Sequence, residues 1–192
     1  MDRPPTQAPT TASDAVARAA RPAGHALREL QARLAARLQQ ARTEEPGVAW
    51  LAVECGRHGL LFPLHMAGEI FPAGTVLPLP HAKDWFVGVA NLRGAIHGVV
   101  DLAGFLGLQG RSGPSDGAML VSLGTALGSP CALLVQRLAG LRHAAQMQRE
   151  PEAHGSRPAF AGARWRDPEG RVWQEIDLAS LARSEQFLDI TR

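Results

Sequence analysis

Phe86-Val87-Gly88-Val89-Ala90-Asn91-Leu92-Arg93-Gly94-Ala95-Ile96-His97-Gly98-Val99-Val100-Asp101-Leu102 is the stretch that decides how this chain is read. Two apolar runs, residues 86–90 and 96–100, flank the turn Asn91-Leu92-Arg93-Gly94, which is the pattern of two strands joined tightly. Gly94 suits a backbone position that needs positive φ or close approach. Asn91 is a residue type whose side chain readily bonds nearby backbone. Leu92 is expected to point inward and to leave Arg93 at the tip. A guanidinium held on a tight turn is a rigid five-donor fork, suited to carboxylates or main-chain carbonyls. The residues alone leave two roles open for Arg93: contact with a partner, or an ion pair with Asp101 or Glu69 inside its own domain.

Outward from this hairpin the chain continues to read as short strands. Upstream, Trp50-Leu51-Ala52-Val53 and Leu60-Leu61-Phe62-Pro63-Leu64 bracket the turn Arg57-His58-Gly59. Val76-Leu77-Pro78-Leu79-Pro80 is extended, because each residue before a proline is pushed out of the helical region. Asp101 is placed to cap a helical turn over 102–108. Downstream, strands are expected at 118–123, 131–135, 140–143, 159–165 and 171–176, with a hairpin loop at 124–130 and a flexible connector at 146–158. Asp167-Pro168-Glu169-Gly170 is a strong turn signal, and a short helix from Asp177 to about Phe187 closes the chain. At the other end, residues 1–22 are rich in Pro, Thr and Ala and are expected to be a disordered tail. Residues 23–46 read as an amphipathic helix and linker, since Leu27, Leu30, Leu34 and Leu38 share one stripe and Glu45-Pro46-Gly47 stops the pattern.

Composition limits what such a chain does. The 192 residues carry 20 Lys+Arg against 18 Asp+Glu, a net charge of +2, and only Lys83 is a lysine. The arginines are scattered, without the aromatic interleaving of a nucleic-acid surface. No apolar run approaches the ~20 residues of a membrane-spanning helix. The start, Met1-Asp2-Arg3-Pro4-Pro5, lacks the pattern of a secretory signal. Cys55 and Cys131 stand far apart with no metal spacing, so a cytoplasmic protein without disulfide, metal or cofactor is expected. No phosphate-cradling loop, metalloprotease helix or nucleophile elbow is present, and the histidines are isolated. One alternative remains, a small-molecule-binding β-barrel or minor enzyme with His97, Arg93 and Asp101 in a pocket.

Gly68-Glu69-Ile70, Leu77-Pro78-Leu79-Pro80, the turn Asn91-Leu92-Arg93-Gly94 and the strand end Val99-Val100-Asp101-Leu102 resemble, in order and spacing, the CheW-like adaptor domain of bacterial chemosensory systems. Trp85-Phe86 and Val89-Ala90-Asn91 look most like the PilI branch, which serves type IV pili and twitching motility. The resemblance implies a mainly β fold: two small SH3-like five-stranded barrels over residues 47–188, preceded by the amphipathic helix and ended by the short one. It also implies a non-catalytic adaptor that couples the cytoplasmic tip of a methyl-accepting chemoreceptor to the regulatory domain of a CheA-type histidine kinase. On that footing Arg93, Asn91, Leu92, Gly94, Glu69, Ala67, Gly88 and Val99 are the expected partner-binding residues. Two departures from the family pattern stand out. Gly98 replaces a common proline and is expected to loosen the strand before Val99, and Gln136 replaces a common aspartate.

Overall fold

A computed structural model describes residues 48–108, 117–151 and 155–192. The expected tail and amphipathic helix lie outside the described residues. Sheet one is built around the hairpin of β1 (Ala49–Cys55) and β2 (His58–Pro63), in which Cys55 pairs with His58 across the two-residue turn Gly56-Arg57. Its remaining strands come from the far end of the sequence: β8 (Arg137–His143), β9 (Gln148–Arg149), β10 (Ala161–Arg166) and β11 (Val172–Ile176), in the order β8-β1-β2-β11-β10-β9. Sheet two holds β3 (Ala67–Pro72), β4 (Phe86–Leu92), β5 (Ala95–Asp101), β6 (Met119–Leu123) and β7 (Cys131–Val135), in the order β3-β6-β7-β5-β4. Every strand of sheet two therefore lies in sequence between β2 and β8. Each sheet contains one parallel pair, β2 with β11 and β5 with β7.

Alternation of side chains divides the apolar residues among three clusters. On β1, Leu51, Val53 and Cys55 face a shared core with Val121, Leu133 and Val135 of sheet two. The alternate residues Trp50 and Ala52 face a second cluster with Leu61, Met147 and Trp173 inside sheet one. Ala90, Leu92, Val99, Leu120, Ala132 and Leu134 form the third, inside sheet two. Burying a large aliphatic or aromatic side chain is worth about 1.5–3 kcal/mol each, so the shared core is what holds the sheets face to face. Both thiols sit in it, and burial pushes the Cys55 thiol up to about 12 and the Cys131 thiol to about 11. Neither is a nucleophile at neutral pH.

The helices are short. Leu102–Phe105 (α1) follows Asp101, which occupies the capping position but makes no side-chain capping bond to the helix. The expected C-terminal helix is two, Leu178–Arg183 (α2) and Glu185–Leu188 (α3), because Ser184 has extended geometry. Asp177 caps α2, its Oδ1 accepting from the Ala179 and Ser180 amides at 2.9 and 3.1 Å. Phe187 of α3 packs with Trp85 and Phe105 at ring separations of 6.3 and 5.4 Å, so Trp85 belongs to the packing around the shared core.

Three expectations need correction. β3 falls where no strand was placed. The connector at 146–158 contains β9, which pairs with β10 and gives sheet one six strands where five were expected. Residues 76–80, expected to be extended, need no correction: they form a strap joined to β4 by the bridge Leu77 to Val89. Finally, β5 runs unbroken through Gly98, whose amide donates to the Pro130 carbonyl at 2.9 Å, and the Phe86 ring lies 3.1 Å from where a Cβ would stand. The glycine admits that ring and supplies a donor that a proline lacks. No helix among the described residues is long and apolar enough to cross a membrane.

Candidate functional site

The β4–β5 hairpin builds its own tip. Leu92 pairs with Ala95, leaving Arg93 and Gly94 as a two-residue loop with φ of +49° and +89°. Positive φ at both central residues is the type I′ geometry, whose twist matches that of the flanking strands. Glycine adopts it freely, whereas a left-handed conformation costs a side-chain-bearing residue such as arginine about 1–2 kcal/mol. The Asn91 side chain offsets part of this by accepting from the Gly94 amide at 2.8 Å. Leu92 is buried in the sheet-two cluster and anchors the base of the turn. Arg93 thus projects from a turn whose every other member is committed to holding it.

Across from this tip lies β3, the opposite edge of the same sheet. An Nη of Arg93 lies 2.9 Å from Glu69 Oε2, and the two side chains remain 75% and 56% exposed. The guanidinium also stands 6.0 Å from the Phe71 ring centroid. Of the two roles open from sequence, internal pairing with Glu69 is realised, and Asp101 is not the partner: it is buried at the far end of β5. An ion pair this exposed contributes at most about 1 kcal/mol, so it orients Arg93 without withholding it. Between the edges lies an open groove of about 460 Å³, lined by Ala67, Glu69, Phe71, Arg93, His97 and Ser122 among others.

The expected site residues separate accordingly. Ala67, Glu69, Leu92 and Arg93 line the groove, while Asn91 and Gly94 shape the turn. The other two expected residues, Gly88 and Val99, are buried in the same sheet. Val99 is 0% exposed inside sheet two. Gly88, with φ +143°, lets the strap cross β4, since a Cβ there would lie 2.1 Å from the Leu77 carbonyl oxygen. Sequence reasoning missed Phe71 and Ser122. A lone serine in the buried run Met119-Leu120-Val121-Ser122-Leu123 and a glycine at 68 beside an exposed strand were the available signals. His97 is half-buried at the groove, its Nδ1 3.2 Å from the Ala95 carbonyl oxygen, and Asp101 does not join it. Among the described residues no cluster of three His, Cys, Asp or Glu side chains is placed to hold a metal.

A second charged feature lies on sheet one. Burial alone raises the Glu54 carboxyl, but hydrogen bonds and charge from Arg171 and Arg137 outweigh it and hold Glu54 below the usual carboxylate range. The Arg137 contact is 2.6 Å. Arg171 also lies over the Trp173 ring at 4.4 Å, while Trp173 Nε1 donates to Asp167 at 2.9 Å. These charges, like Arg93 with Glu69, are engaged inside the domain; they differ from that pair in that the Glu54 carboxylate is 10% exposed where Glu69 is 56% exposed.

Two β-sheets sharing one core, with a short helical close, define a small mainly β module. The solved structure of scaffolding protein TtCheW from Thermoanaerobacter tengcongensis has this fold, with a TM-score of 0.58 and 17% identity, covering 68% of this chain and 89% of that one. The model of the CheW-like domain matches residues 49–186, and the chain belongs to that family. Protein PilI of Pseudomonas aeruginosa is 26% identical over 162 residues, which are 82% of this chain and 88% of the relative.

Proposed function

We propose that this chain is a non-catalytic, cytoplasmic chemosensory adaptor. It joins the cytoplasmic tip of a methyl-accepting chemoreceptor to the regulatory domain of a CheA-type histidine kinase, in a pathway that controls type IV pili and twitching motility. Membership of the CheW-like family supports the adaptor role, and likeness to PilI supports the pilus pathway. Residues 47–188 form the adaptor domain, and residues 1–46 precede it as a separate segment. The observation that carries the proposal is Arg93, a cation held out on a rigid turn beside an open groove and only weakly retained by Glu69.

Signal coupling needs contacts that differ between two states of the partners, not chemistry within the adaptor. An exposed ion pair supplies such a contact, because exchanging Glu69 for a partner's carboxylate or carbonyl costs little. A turn pre-set by Asn91 and Gly94 avoids the ordering entropy that a mobile loop would lose on binding. The alternative, a ligand-binding barrel or enzyme using His97, Arg93 and Asp101, lacks support from the geometry, since Asp101 lies away from the other two.

The test is Arg93→Glu, with titration calorimetry against the kinase regulatory domain and the receptor tip. Affinity for at least one partner falls tenfold or more while the thermal midpoint stays within about 2 °C. Unchanged affinity for both removes Arg93 from the interface.

A further inference from the structure

Glu69 does not sit on a regular strand. Ala67 pairs with Leu123 and Ile70 with Val121, so Gly68 and Glu69 together face the single residue Ser122. Two residues opposite one is a β-bulge, which interrupts the ladder and re-aims a side chain. The main-chain groups of Glu69 are then deprived of backbone partners on β6, and Ser122 replaces them. Its Oγ accepts from the Glu69 amide at 2.8 Å and donates to the Glu69 carbonyl at 3.1 Å. Ser122 is buried, and a Cβ on Gly68 would stand 2.5 Å from that same oxygen. A hydroxyl is the side-chain group that both donates and accepts at one atom, which is what the interrupted ladder requires.

We infer that Ser122 is a positioning residue: its hydroxyl fixes the Gly68-Glu69 bulge and so aims the Glu69 carboxylate at Arg93. Its effect on partner binding rests on the adaptor role proposed above for Arg93, but its effect on the bulge does not. Removing the hydroxyl frees the Glu69 backbone, lets the bulge shift, and leaves the guanidinium without its orienting carboxylate. Because the Ser122 hydroxyl is bonded to both main-chain groups of Glu69, its influence passes through Glu69.

Two variants test this, Ser122→Ala, which deletes the hydroxyl, and Gly68→Ala, which drives a methyl against it. Amide hydrogen exchange on the full chain is followed at Glu69 and, as a control in sheet one, at Leu61. Both variants speed exchange at Glu69 at least tenfold and change Leu61 less than twofold. Against whichever partner Arg93→Glu weakens, Ser122→Ala lowers affinity by up to about fivefold, the most an exposed ion pair supplies, yet has less than a twofold effect when added to Glu69→Ala. Unchanged exchange at Glu69, or a binding loss that persists in full on the Glu69→Ala background, overturns the inference. If exchange responds as stated but Arg93→Glu binds both partners normally, the adaptor role of the turn fails and the positioning of Glu69 stands.

Discussion

At Arg93 the backbone and the side chain make opposed demands. A positive φ of +49° favours glycine, yet the position carries the longest cationic side chain available. Arg93→Gly therefore relieves strain: the fold is expected to hold its stability or gain up to about 1 kcal/mol, while partner affinity falls at least tenfold. Urea denaturation alongside calorimetric binding checks both halves, and a clear loss of stability would show that the arginine is structural. The two thiols illustrate the opposite condition. Cys55 and Cys131, buried and pushed up to about 12 and about 11, are inert packing residues in the shared core.

Gly88 shows how one element depends on another passing close by. The strap residue Leu77 exchanges two backbone bonds with Val89, both 2.8 Å, and passes so near β4 that no side chain fits at position 88. Gly88→Ala is expected to cost more than about 3 kcal/mol, or to prevent folding, read as a fall in the thermal midpoint. A shift of only a degree or two would mean that the strap is free to move aside. Strands β4, β5 and β7 were legible because their alternating or continuous apolar runs are local signals. β3 was not, because Gly68, Glu69 and Pro72 break its period and its pairing depends on Ser122, more than fifty residues away. β9 was hidden for a similar reason, since two residues become a strand only through β10. At the site, the turn chemistry of Asn91, Arg93 and Gly94 was readable from type alone. Val99 and Gly88 were expected at the partner edge from the family resemblance alone, and the structure shows both buried in sheet two.

Across the whole molecule, several carboxylates titrate below their ordinary values. Glu54 is raised by burial but lowered further by Arg171 and Arg137. Asp167 is likewise raised by burial and brought down chiefly by the Trp173 N–H, and Asp177 by Ser180. A depressed folded-state pKa means the unfolded chain binds protons first as pH falls. Their stabilisation is therefore complete above about pH 5 and is lost on acidification through the folded values. The urea midpoint should drop steeply below pH 5, and Glu54→Gln should start lower at pH 7 and fall less steeply; an equally steep profile would exclude Glu54 as a contributor. Glu54 lies beside the only residue separating β7 from β8. That residue, Gln136, donates its amide to the Glu54 carbonyl at 3.0 Å and accepts from the Gly56 amide at 2.6 Å. Of the two crossings between the sheets, β2 to β3 and β7 to β8, the second is thus one pinned peptide step rather than a hinge. Turning one sheet against the other would have to break these two hydrogen bonds, so this crossing resists a pull on the arginine-tipped hairpin.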